Sequence, residues 1–118
     1  MLHDADAFYK AWPSTMNAVK AAAPDLGKAF GPFFQTLMKE GALSVKQKEL
    51  IALGIGIASR CEPCIYAHVE KCLKNGATPA EVMETAGVAV MMGGGPVYTY
   101  TPVVAAAIKH FESPVAAG

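Results

Sequence analysis

The sequence predicts an all-α protein, a bundle of five to seven helices in one domain over residues 1–118. Two observations predict it. Helix start and stop signals recur along the whole chain. Runs of β-branched residues with period two, the mark of strands, are nearly absent.

The elements follow in order. The first helix covers roughly residues 4–22, is amphipathic, and is expected to bend or divide at Pro13. Pro24-Asp25 opens a second helix that reaches about Lys39, with Gly41 closing it and Gly31-Pro32 as a candidate break. Ser44-Val45-Lys46-Gln47 fits a capping box and starts a third helix that ends near Ser59. The fourth runs from about Cys61 to Lys74, with Asn75-Gly76 as its stop. Thr78-Pro79-Ala80-Glu81 is a second capping box, with proline at the first helical position, and opens a fifth helix to about Met92. Gly93-Gly94-Gly95 reads as a turn. It lacks the preceding strand and the lysine of a phosphate loop, and nothing in the pattern calls for a cofactor. A last helix covers roughly Val97–Phe111, with Pro102 in or near its first turn.

Composition bounds the function. Charged residues make up 17% of the chain, against roughly 25% in an average soluble protein. Apolar residues make up 53%, more than so small a domain can hide by itself. The excess needs a subunit interface or a membrane. The uncharged stretch from Thr85 to Ile108 is long enough to cross a bilayer, but the glycines and Pro96 cut it into halves that are too short. It therefore reads as buried core or interface. The formal net charge is zero, which argues against a nucleic-acid reader. The acidic start, Met1-Leu2-His3-Asp4-Ala5-Asp6, has no basic and apolar leader pattern, so a cytoplasmic location is expected. Three clustered cysteines do not make a secreted disulfide framework.

Cys61-Glu62-Pro63-Cys64-Ile65-Tyr66-Ala67-His68 carries the chemistry. Cysteines three apart share one face of a helix, and Cys64 and His68, four apart, are neighbours on it. Pro63 fits only a first turn, which puts the cysteines at a helix N-terminus. There the dipole and free N–H groups favour a thiolate. The histidine can take or return a proton beside Cys64. A thiolate attacks an electrophile, and the second cysteine then closes a disulfide. The bland readings are a metal site or two inert thiols. A metal site usually takes four ligands. Cys72 continues the stripe, but eleven residues from Cys61 it lies about 16 Å away along one straight helix. It reads as a core thiol.

Glu49 shares a stripe of the third helix with Val45, Ala52, Leu53, Gly56 and Ile57. A carboxylate there is costly unless it is paired. The third and fourth helices should form an antiparallel hairpin, which brings Glu49 and His68 to about the same height, within about 5 Å by helical rise. A Glu–His pair beside a cysteine is the relay a nucleophilic thiol needs. The alternative is a structural or interface carboxylate. His3 and His110, near the termini, are expected to be solvated. Arg60 reads as a surface residue or a cation that tunes the thiols. Phe30, Phe33, Phe34, Met91 and Met92 read as core.

Glu49, eleven intervening residues, Cys61-x-x-Cys64, three residues and His68, followed by Lys74-Asn75-Gly76-Ala77-Thr78-Pro79-Ala80-Glu81-Val82, resemble the carboxymuconolactone decarboxylase superfamily in its alkylhydroperoxidase AhpD-like branch. The resemblance covers about residues 33–111. It implies an AhpD-like helical bundle that assembles as homotrimers or homohexamers. It makes Cys64 the peroxidatic cysteine, passing through a sulfenic acid, and Cys61 the proton donor and resolving thiol. Glu49 and His68 would complete the relay. Pro63 stands where well-characterised members often carry a histidine. The implied activity is reduction of a hydroperoxide or disulfide with electrons from a thiol donor that the sequence does not identify. Competing readings are a lactone decarboxylase, which does not depend on a cysteine pair, and a non-catalytic oligomeric module that senses oxidation.

Overall fold

The computed structural model describes residues 4–112. Helical segments follow one another: α1 (Ala5–Ala22), α2 (Pro24–Met38), α3 (Val45–Ala58), α4 (Glu62–Lys74), α5 (Pro79–Gly93), the single turn α6 (Gly95–Tyr98) and α7 (Thr101–Glu112). No strand occurs among the described residues. The all-α expectation holds. Both capping boxes are formed, Ser44 with Gln47 and Thr78 with Glu81, each side chain closing on the other residue's backbone N–H. Gly76, at φ 92°, ends α4 while the Ala77 and Gly76 N–H groups return to the carbonyls of Cys72 and Leu73.

The packing is a body of α3, α4, α5 and α7, with α1 laid across α4 and α7 and α2 reaching back to α3. Leu53 and Ile57 of α3, Ile65 and Val69 of α4, Val82 of α5 and Val104 of α7 are fully buried and form its centre. Fully burying such a side chain stabilises the fold by roughly 1.5–3 kcal/mol. The Lys46–Glu81 ion pair, 2.9 Å long, ties the start of α3 to the start of α5. Both groups are substantially exposed, so it fixes register more than it adds stability.

Several expectations need correction. Helices α1 and α2 run unbroken through Pro13 and Pro32. Each proline removes one backbone bond, and in the exposed α2 water can satisfy the freed carbonyl. The last helix breaks in two at Thr99-Tyr100. Pro102 has no N–H for the Tyr98 carbonyl, and the Thr101 hydroxyl donates to it instead, at 2.8 Å. His110 is buried rather than solvated: its Nδ1 lies 2.5 Å from Asp6 Oδ1 and its ring stacks on Tyr9. His3 lies outside the described residues.

Phe30 and Phe33 are each 61% exposed, and Met91 and Met92 are exposed as well. None of the four is core. Among the described residues, α2 has no buried member. The uncharged Thr85–Ile108 stretch divides similarly, with Ala86, Val103 and Val104 inside and Val88 and Tyr98 outside. No described helix is long and apolar enough to cross a membrane. Between α3 and α5 runs a groove of about 410 Å³ lined by Ile51, Ile55, Val88 and Met92 among others.

Candidate active site

The site is built on the α3–α4 hairpin. Helix α3 closes with a Schellman turn: the Cys61 N–H bonds the Gly56 carbonyl at 3.0 Å, and the Arg60 N–H bonds the Ile57 carbonyl at 3.0 Å. Arg60 occupies the left-handed position at φ 54°, where glycine is usual. It is exposed, and its backbone is what the turn uses. One residue, Cys61, therefore ends the turn and caps the next helix. Its Sγ accepts from the Cys64 N–H at 3.3 Å.

Cys61 and Cys64 are joined in a disulfide, with their Cα atoms 5.2 Å apart. Both residues are half-buried. Pro63 sits in the first turn of α4, where its missing N–H costs nothing. When the bond is reduced, the sulfurs lie at the positive end of α4, which stabilises a thiolate.

One turn behind Cys64, His68 Nδ1 lies 2.6 Å from Glu49 Oε1. Glu49 is only 3% exposed, and His68 is its partner across the hairpin. A carboxylate only accepts, so Nδ1 carries the proton and Nε2 is left as the nitrogen that exchanges one. Cys61 and Cys64 thus sit at the turn of the hairpin, and the Glu49–His68 contact bridges its two helices further from that turn.

Cys72 stands one turn further along α4, completely buried. Burial, with the Glu49 charge adding to it, pushes its thiol up to about 12. Its burial is in keeping with a core thiol. Tyr66 faces the other way and donates to Glu62 Oε1 at 3.1 Å, and its backbone carbonyl accepts from the Tyr9 hydroxyl.

Two residues at the site escape sequence reasoning. A Cβ built on Gly56 would stand 3.1 Å from Cys64 Cβ, so glycine is what lets α4 approach α3 at the disulfide. Gly56 appears in the sequence only as one member of an apolar stripe. Phe34 of α2 lies over His68, with ring centroids 6.4 Å apart and planes 27° apart. Its sequence signal is that of any apolar residue on an amphipathic helix.

Residues 24–108 match the carboxymuconolactone decarboxylase family. The chain belongs to that family. A family member from Legionella pneumophila, solved in its apo form, is 38% identical, with a TM-score of 0.75 over 87% of this chain and 89% of that one. A Thermotoga maritima protein superimposes with a TM-score of 0.81 over 95% of this chain and 98% of its own, at 25% identity. A second structure of that same Thermotoga maritima protein, a family member for which a part in antioxidative response has been suggested, matches with a TM-score of 0.70 at 27% identity over 77% and 94% of the two chains. An uncharacterized protein of Cupriavidus necator is 28% identical over 81% of this chain and 82% of its own length. Family membership accounts for the bundle.

Proposed function

We propose that this family member is a thiol-dependent peroxidase, an oxidoreductase that cycles the Cys61–Cys64 pair between dithiol and disulfide. The observation that carries the reading is the half-buried Cys61–Cys64 disulfide at the start of α4, one turn from a His68 paired with the buried Glu49. The antioxidative role suggested for the Thermotoga maritima relative points the same way.

The chemistry balances as follows. The Cys64 thiolate attacks the outer oxygen of a hydroperoxide, and the O–O bond breaks. Cys64 becomes a sulfenic acid, and the leaving alkoxide takes a proton to become an alcohol. His68 Nε2, with Nδ1 held by Glu49, and the Cys61 thiol are the groups that move that proton. The Cys61 thiolate then attacks the sulfenic sulfur and forms the disulfide, and the expelled hydroxide takes the second proton, delivered through His68, to leave as water. An external dithiol returns two electrons and two protons. A reducing cytoplasm supplies such thiols, and it is the proposed location.

The assembly belongs to the same proposal. The apolar groove between α3 and α5 and the exposed face of α2 are covered by further copies of the chain, as a homotrimer or homohexamer. Hydroperoxide consumption measured with a panel of dithiol reductants tests the enzymatic reading. Turnover by the wild type that disappears in Cys64→Ser is the expected result. Lactone decarboxylation that survives Cys64→Ser would replace it with the lyase reading. Reversible disulfide formation without turnover under any reductant would leave a redox-sensing module.

A further inference from the structure

The Glu49–His68 contact is a hydrogen bond at Nδ1, which restrains one edge of the imidazole and leaves the tilt of its plane to what packs on the ring. A second constraint has to come from something packed on the ring face. Helix α2 supplies it. Most of its apolar side chains point outward, Phe30 and Phe33 among them, yet Phe34 turns inward and is half-buried. Its ring lies nearly parallel to that of His68, at 6.4 Å between centroids and 27° between planes, within the range of aromatic pairs. Lys71, three residues beyond His68 on the same side of α4, places its Nζ 4.1 Å from the Phe34 ring centroid. Two successive turns of α4 therefore meet one aromatic ring.

The segment carrying Phe34 is also anchored next to Glu49. Lys48 Nζ donates to the carbonyls of Leu37 and Lys39, at 2.9 and 2.6 Å, which fastens the C-terminal end of α2 to α3 one residue before Glu49. The His68 side chain stays 18% exposed, so the ring is covered without being sealed and can still exchange a proton.

We propose that Phe34 is a positioning residue of this site: its ring, laid over His68, fixes the imidazole plane so that Nδ1 stays on Glu49 and Nε2 remains the nitrogen that exchanges protons with Cys64. The proposal rests on the peroxidase reading only in naming the reaction that His68 serves. The ring contact itself is independent of it.

The test compares Phe34→Ala, Phe34→Leu and Phe34→Tyr with the wild type in the reduced full-length protein. Leu keeps apolar volume without an aromatic face, and Tyr keeps the face. Two readouts are taken alongside thermal melts: the pH profile of Cys64 alkylation, with the modified residue mapped by mass, and the His68 tautomer by nitrogen-15 NMR. Phe34→Ala and Phe34→Leu are expected to slow neutral-pH alkylation on the order of 10-fold, less than the roughly 10² that a misplaced catalytic group costs. Both are expected to mix the tautomers, and Phe34→Tyr to restore both readouts. An unchanged profile and tautomer in Phe34→Leu, whatever its melting temperature, overturns the proposal. A wild type that consumes no hydroperoxide sinks the peroxidase reading alone, because the tautomer comparison still decides the role of Phe34.

Discussion

Gly56 of α3 faces Cys64 of α4 so closely that a Cβ on the glycine would stand 3.1 Å from the cysteine Cβ, while the Gly56 carbonyl holds the Cys61 N–H at 3.0 Å. The same glycine thus sets both the position of the first cysteine and the distance of the second from the neighbouring helix. A branched side chain here has nowhere to go, because Cys64 is fixed through its own disulfide and the first turn of α4.

Gly56→Val is therefore expected to cost about 1–3 kcal/mol of stability by overpacking and to slow alkylation of reduced Cys64. Gly87→Ala in α5 is the contrasting substitution. A Cβ there meets nothing within 4 Å, so the gain is the helix propensity of alanine, about 1 kcal/mol. Thermal melts of the two variants check both signs, and equal destabilisation would mean that Gly56 is not a spacer.

Glu49→Gln is expected to lower the peroxide reactivity of Cys64 by about 10²–10⁴-fold without unfolding the protein. Glutamine keeps the volume of the carboxylate and loses its charge. The amide also offers N–H groups as well as an oxygen to Nδ1, so the imidazole is no longer held in one tautomer. The check is the pH profile of Cys64 alkylation for both proteins. A lower melting temperature with an unchanged profile would make Glu49 a structural carboxylate.

Stability of the oxidised protein is expected to fall as pH rises from 9. The Cys72 thiol, pushed up to about 12 by burial, stays neutral in the folded chain while the unfolded chain ionises. Its contribution is complete below the ordinary thiol range and is lost above it, at no more than about 1.4 kcal/mol per pH unit. Tyr9 and Tyr66 are raised too, chiefly by burial, and add their own loss once unfolded tyrosines ionise near 10. From pH 9 to 10 the difference between the wild type and Cys72→Ala isolates the cysteine, because both proteins carry the same tyrosines. Melts there should be flatter for Cys72→Ala, and equal slopes would remove Cys72 as the cause.

Light scattering at micromolar concentration is expected to report a trimer or a hexamer. Ile55→Glu places a charge on the rim of the α3–α5 groove, where Ile55 is 63% exposed, and is expected to shift the protein towards monomer. A charge buried without a partner is strongly disfavoured, and that disfavour is what would separate the copies. A monomeric wild type would refute the assembly.

The sequence by itself determined most of the helix starts and stops and which residues are candidates for chemistry. Ser44 with Gln47, Thr78 with Glu81, and Gly76 are legible because each satisfies backbone groups only a few residues away. The CxxC pair and His68 are legible for the same reason, since three- and four-residue spacing on one helix is local geometry. Even the Glu49–His68 contact, nineteen residues apart, follows from one short turn and two regular helices. What the tertiary structure decided lies beyond that reach. Whether an apolar stripe is covered depends on which distant element lands on it. That is why Phe30 and Phe33 are exposed while His110, paired with Asp6 across 104 residues, is buried. The room at Gly56 and the ring of Phe34 over His68 are likewise products of helix packing. A pattern of apolar residues reports the side a helix turns inward, and only the assembled chain supplies the neighbour that side meets.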